Sequence, residues 1–126
     1  MGVRQPAAIS EAFGMHFNKR DKAALLSLYT ETALLTVDGA AVARGRAAIE
    51  AMVQPLIDSP LKMTIRCAVC HEQGDLALVR SDWKLTGPDG TVATAGSSAE
   101  VLRKQADGLW RLEIDDASFA ARPATL

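Results

Sequence analysis

Aromatic side chains are scarce in this chain: three Phe, two Trp and one Tyr among 126 residues. Its core must therefore be built mainly from Ala, Leu, Val, Ile and Met. No apolar stretch approaches the ~20 residues that a membrane-spanning helix needs, so no membrane partner is expected. A dominant charge is lacking as well. The 14 basic and 15 acidic residues are mixed along the chain and leave a net charge of −1. A protein that follows a phosphate backbone carries a basic stripe, so no nucleic-acid partner is expected either. The opening segment, Met1 to Gly14, has one Arg, soon meets Glu11 and has no continuous apolar run. It does not read as a signal peptide. Gly2 is followed by Pro6 where a myristoylation signal requires Ser or Thr, so the expected location is cytoplasmic.

What is present is a globular composition, 48% hydrophobic and 23% charged. At this length roughly two thirds of the unfolded chain's surface can be buried, enough for one core. No linker, repeat or low-complexity tract interrupts residues 1–126, which are expected to form a single domain.

The first segment reads as a helix, because Ile9, Ala12, Phe13, His16 and Phe17 recur at the helical period. Asp21 is placed to cap a second helix over Lys22–Tyr29. Ala33–Val37 reads as a short strand closed by Asp38-Gly39. Gly45 opens a third helix with Ala48, Ile49, Met52, Val53, Leu56 and Ile57 on one face, and Pro60 lies beyond it. From Leu61 the period changes to two. Strands are predicted over Leu61–Val69, Ala77–Leu85, Thr91–Lys104 and Leu109–Asp115, separated by Gln73-Gly74-Asp75, Gly87-Pro88-Asp89-Gly90 and Asp107-Gly108. The fold class is therefore α+β, with three N-terminal helices packed on a curved antiparallel sheet.

Five phrases stand in that order: Asn18-Lys19-Arg20-Asp21, Leu28-Tyr29-Thr30-Glu31-Thr32-Ala33, Arg44-Gly45-Arg46-Ala47-Ala48-Ile49, Gly74-Asp75-Leu76-Ala77-Leu78-Val79 and Gly108-Leu109-Trp110-Arg111-Leu112. Over residues 8–118 the chain resembles the SnoaL-like and ketosteroid-isomerase-like proteins of the nuclear-transport-factor-2-like superfamily. The resemblance implies a cystatin-like cone with an internal pocket between sheet and helices, and a homodimer formed through the open face of the sheet. It does not imply one reaction, because such folds host isomerases, cyclases, dehydratases and non-catalytic modules.

Carried over residue by residue, the resemblance places the isomerases' tyrosine position on Phe13, which has no hydroxyl. Their general-base position falls on Val37, with Asp38 one residue later and, in a regular strand, on the other face. Their second acid falls on Glu100. Two of the three positions are therefore vacant, and steroid-isomerase chemistry is not the expectation.

Glu100 stands among apolar neighbours and reads either as a buried, tuned pocket acid or as a rim carboxylate paired with Arg80, Arg103 or Lys84. Asp115 reads either as a group at the pocket mouth or, by its alternation with Glu113 and Arg111, as part of a solvated face. His16 is a third candidate acid–base group, or a hydrogen-bonded core histidine. Tyr29 is read as packed with its hydroxyl at the surface or the pocket edge. Phe13, Phe17, Val37, Met52, Leu56, Ser81 and Trp83 are the candidate pocket-lining residues, with core packing the alternative for Trp83.

Cys67-Ala68-Val69-Cys70-His71 matches the pattern for covalent haem attachment. On a regular strand residues three apart face opposite sides, so the thiols are expected to diverge, and neither metal nor cofactor is expected. The leading functional expectation is a homodimeric protein that binds a small apolar molecule, with isomerase- or cyclase-type acid–base activity carried by Glu100 with Asp115 or His16. The alternative is a non-catalytic assembly or ligand-sensing module.

Overall fold

The structure is a computed structural model, described here for residues 1–37, 41–119 and 124–125. After a short 3-10 turn at Pro6–Ala8 come α1 (Ile9–Asn18), α2 (Lys22–Leu26), β1 (Tyr29–Val37), β2 (Ala41–Arg44) and α3 (Arg46–Ile57). Four long strands follow: β3 (Lys62–Gln73), β4 (Leu76–Thr86), β5 (Val92–Lys104) and β6 (Trp110–Asp116). They form one six-stranded sheet in the order β2-β1-β6-β5-β4-β3. The pairs are antiparallel except β1 with β6, which run parallel. None of the described helices is long and apolar enough to cross a membrane.

The sequence reading holds for the three helices and the β3–β6 meander, and fails at two places. The second helix stops at Leu26 rather than Tyr29, and Tyr29 opens β1 instead. Leu28 and Tyr29 sit on the sheet, where the Leu28 carbonyl accepts from the Leu112 N–H at 2.7 Å. Pairing with β6 here outweighs a helical period of only two turns. The second difference is β2, a four-residue strand that the sequence reading passed over. Its four residues carry no alternation long enough to read. Asp38 lies outside the described residues.

Local chemistry explains how the helices dock. Asp21 caps α2 by accepting from the Ala24 N–H at 3.1 Å. The Asn18 amide donates to the Met63 carbonyl and accepts from the Met63 N–H, both at 2.8 Å. It acts as one residue of an extra strand, covering the exposed edge of β3 at the point where α1 ends. The Arg20 guanidinium lies 4.8 Å from the centre of the Phe17 ring and donates to the carbonyls of Phe17, Ser59 and Leu61. Gly45 adopts φ 82°, a backbone state that a side chain would strain, and donates its N–H to the Ala33 carbonyl at 2.8 Å. α3 starts from that anchored turn.

The core between helices and sheet holds Ile9, Phe17, Leu25, Leu28, Tyr29, Ile49, Leu102 and Leu112, each at most 2% exposed. Asn18→Ala would leave both Met63 backbone groups without their partner and is expected to cost ~2 kcal/mol. Thermal unfolding would register this as a midpoint several degrees lower. An unchanged midpoint would mean that water replaces the amide and that the edge needs no cover.

Candidate functional site

A cavity of about 120 Å³ opens between the concave face of the sheet and the helices. Ile9 and Phe13 line it from α1, Val53 and Leu56 from α3. Met63, Ile65, Trp83 and Leu85 line it from β3 and β4, with Leu35 and Leu112 from β1 and β6. The polar lining gathers in one place: Ser10, Tyr29, Ser98, Glu100 and Asp115. Among the described residues no Lys, Arg or His lines the cavity.

Glu100 and Asp115 are direct partners across the β5–β6 ladder, so their Cβ atoms are roughly 5 Å apart. They are 5% and 8% exposed. Glu100 Oε1 accepts from the Ser98 hydroxyl, and Oε2 from the Ser81 hydroxyl at 3.2 Å. Ser81 in turn shares a 2.7 Å hydrogen bond with Ser10 at the start of α1. The Tyr29 hydroxyl donates to Asp115 Oδ2 at 2.7 Å. Asp115 Oδ1 accepts no hydrogen bond among the described residues.

Burial without a compensating cation raises both acids. Glu100 is pushed from 4.5 to about 7, first by loss of solvent and then by the charge of Asp115, against the Ser98 and Ser81 hydrogen bonds. Asp115 is pushed from 3.8 to about 6 by loss of solvent, held back by the Tyr29 hydrogen bond and helped by the charge of Asp116. Burial is also the first cause that holds the Tyr29 phenol well above its usual value, followed by the Asp115 charge.

An irregularity in the sheet brings Asp115 inside. Val101 pairs with Ile114 and Leu102 with Leu112, so Glu113 is an extra residue in β6. After this bulge the strand changes phase: Leu112 is buried, Ile114 is 42% exposed and Asp115 is buried. β1 is irregular at the same level, between Tyr29 and Leu34. The Glu113 carboxylate holds the two strands there, accepting from Thr30 at 3.0 Å, Thr32 at 2.9 Å and Arg103 at 3.3 Å. A strict alternation of Arg111, Glu113 and Asp115 would have put Asp115 in solvent, and the bulge overturns that alternative. Glu100 is likewise no rim carboxylate; the basic residues named for it lie elsewhere, Arg80 on Asp82 and Arg103 on Glu113.

Phe13, Leu56 and Trp83 line the cavity. Trp83 lies over Gly96, where an added Cβ would come within 2.8 Å of its ring, and its indole N–H donates to the Ala117 carbonyl at 2.8 Å. Ser81 is fully buried and meets the site through Glu100 rather than by lining the cavity. Phe17, Val37, Met52 and His16 are not among the lining residues. Phe17 packs one turn beyond Phe13 under Arg20. Val37 is 41% exposed at the end of β1. Met52 packs beside the inward ridge Ile49–Val53–Leu56 rather than on it. His16 is half-buried on α1, three residues past Phe13.

Of the two places the sequence allows the Tyr29 hydroxyl, the surface and the pocket edge, the structure has the second: Tyr29 lines the cavity. Its hydroxyl is fully buried on Asp115 rather than at the surface, and its ring meets Phe13 edge-on at 6.4 Å.

The cysteine pattern also needs correction. Cys67 pairs with Ser81 and Cys70 with Val79, because Ala68 is the extra residue of a bulge in β3. Ser81 and Val79 both face inward, so the two thiols share a face instead of diverging. Both are free. Burial pushes up the Cys67 thiol first, and the neighbouring Cys70 and Glu100 add to the effect.

Among solved structures the chain resembles a Thiobacillus denitrificans protein assigned to the calcium/calmodulin-dependent protein kinase type II association domains. They share 24% identity over 94% of this chain and 97% of that one, with a TM-score of 0.79. It also resembles a ketosteroid isomerase-like protein from Erwinia carotovora atroseptica (24% identity, 90% and 95% covered, TM-score 0.69). A third likeness is to an NTF2-like protein with a cystatin-like fold from Novosphingobium aromaticivorans (22% identity, 94% and 81% covered, TM-score 0.79). At these identities the likeness speaks for the fold, which is the cystatin-like, NTF2-like one. The search of curated proteins found no match. The SnoaL-like domain model matches residues 10–113, from the serine that meets Ser81 to the glutamate of the β6 bulge, and the chain belongs to the SnoaL-like domain family.

Proposed function

We propose that this SnoaL-like protein is a homodimer that takes up a small, mainly apolar molecule in its cavity and moves a proton with the Glu100–Asp115 pair. The observation that carries the reading is the pair itself: two buried carboxyls opposed on neighbouring strands, at the polar end of a lining that is otherwise apolar among the described residues. With Glu100 near 7 and Asp115 near 6, the pair holds about one proton close to neutral pH. Asp115, steadied by Tyr29, then serves as the base and Glu100 as the acid. Proton abstraction beside a polarised bond and its return at another atom is the shared step of isomerases and cyclases. At about 120 Å³, under the ~150 Å³ of a cavity that accommodates benzene, the volume limits the ligand to one small ring. His16 has no part in this reading.

The dimer rests on the outer face of the sheet. Leu78, Val101 and Ile114 stand in one transverse row across β4, β5 and β6. Leu78 and Ile114 are 51% and 42% exposed, and Leu76 and Val69 extend the apolar surface at 42% and 41%.

Single-ring ketones, imines and amines incubated in D₂O with the protein test the chemical half. Deuterium entering a C–H position, followed by NMR, is expected with the parent and to fall by at least ~100-fold in Glu100→Gln and in Asp115→Asn. Parent and variants alike without exchange across the panel would leave an assembly module as the better reading. Leu78→Glu is expected to convert the dimer to a monomer in analytical ultracentrifugation. A parent that sediments as a monomer removes the dimer.

Stability carries its own signature. Unfolded, the Glu100 carboxyl loses its proton near 4.5; folded, near 7. Between those values the folded chain keeps a proton that the unfolded chain has lost, so this group's contribution weakens as pH rises. Its loss amounts to roughly 3 kcal/mol by about pH 8. Glu100→Gln should therefore be the more stable protein at about pH 8, with a smaller difference at about pH 5. A parent-to-variant difference that stays constant over this range, read from denaturant midpoints, would contradict the buried, uncompensated carboxyl.

A further inference from the structure

The lining of the cavity constrains the polar group that its occupant must carry. Every hydroxyl beside the pair already has an acceptor. Ser98 and Ser81 donate to the two oxygens of Glu100, and Tyr29 donates to Asp115 Oδ2. The remaining oxygen, Asp115 Oδ1, belongs to a side chain only 8% exposed and accepts no hydrogen bond among the described residues. With both acids ionised, the site thus offers only acceptors toward the cavity and has no free hydroxyl to give. Among the described residues the rest of the lining is apolar and includes Phe13 and Trp83.

We infer that the occupant is a single-ring molecule bearing a protonated amine, whose N–H groups donate to Asp115 Oδ1 and the Glu100 carboxylate while its ring fills the apolar part of the cavity. The inference rests on the reading of the cavity as a ligand site and names the class of ligand. An anionic ligand is excluded by charge, because two carboxyls and, among the described residues, no cation would face it. A neutral alcohol or ketone satisfies at most one acceptor and leaves the pair uncompensated. A compact ammonium supplies up to three donors and the missing positive charge.

The groups that bear on the pair's ionisation are few. Asp115 faces Glu100 from β6, Tyr29 bears on both from β1, Asp116 bears on Asp115, and the Cys67 thiol senses Glu100 from β3. α1 contributes Ser10, and α3 contributes apolar side chains. An amine therefore meets two carboxylates above the range in which the pair titrates, and two neutral acids below it. Its uptake near neutrality drives off the proton that the pair still holds.

Benzylamine, benzyl alcohol and benzoate have closely similar ring and reach and differ in charge, so NMR titration of the intact protein with each isolates the effect. At about pH 8 benzylamine is expected to bind at least tenfold more tightly than benzyl alcohol, with benzoate undetected. At about pH 5, where both acids hold protons, that preference should shrink to within about twofold. In the Glu100→Gln, Asp115→Asn double variant it should be gone at both pH values while benzyl alcohol still binds. The amine assignment is overturned if benzyl alcohol equals benzylamine at pH 8, or if the preference survives in the double variant. Should that variant fail to fold, the pH dependence of the parent decides alone. If none of the three probes binds, the reading of the cavity as a ligand site falls, and the amine falls with it.

Discussion

One extra residue in the last strand holds the arrangement together. Without the bulge at Glu113, β6 would run in simple alternation from Trp110, and Asp115 would take the solvent side on which Ile114 now stands. The bulge costs a regular step of the ladder, and Glu113 offsets it with its own carboxylate by fastening Thr30 and Thr32 of β1 and Arg103 of β5. The phase change that follows sets Asp115 opposite Glu100 and under the Tyr29 hydroxyl. A surface carboxylate thus determines where a buried one points. The two differ in electrostatic surroundings as well: Glu113 has a guanidinium beside it, while the inner pair has only hydroxyls.

Those hydroxyls are the reason that the pair persists. A carboxyl removed from water with no cation nearby prefers to be neutral, and two together more so. Serine and tyrosine donors partly replace the lost solvent, enough to keep the acids within reach of neutral pH. Arginine in the same places would have stabilised the fold more and left two permanently ionised carboxylates, which exchange no proton near pH 7. The site gives up stability for adjustable protonation, which is what the proposed acid–base role would require.

The parts legible in the sequence were those with a long, undisturbed period. Three apolar faces at 3.6 residues and four strands at two residues were enough for the α+β architecture, and the motif order was enough for the family. Glu100 was legible too, from its apolar neighbours and its place in the motif order. What alternation could not deliver were the positions where alternation breaks. Asp115 read as half solvated because the bulge at Glu113 is invisible to a period-two count. Cys67 and Cys70 read as divergent because the bulge at Ala68 is equally invisible. Tyr29 read as helical because its helical neighbours precede it and its strand partner, Leu112, lies far along the chain. These errors share a cause: a bulge or a long-range pairing is decided by the facing strand, which a local window does not contain.

The same strands serve two surfaces. On β5, Glu100 points into the cavity and its neighbour Val101 to the outer face; on β6, Asp115 points in and Ile114 out. Val101 and Ile114 are themselves directly paired, as are Glu100 and Asp115 one step away. A second copy seated on the outer row, as proposed above, would press on the very step of the ladder that sets the separation of the two acids. The opposed carboxyls repel when both are ionised, and the strands that carry them resist that repulsion only as far as the β5–β6 ladder is stiff. Restraining this ladder from outside raises the cost of relaxing the pair apart and so favours the singly protonated state. On this argument, assembly and acid–base chemistry are not rival uses of the fold: the outer face would help to set the protonation of the inner one.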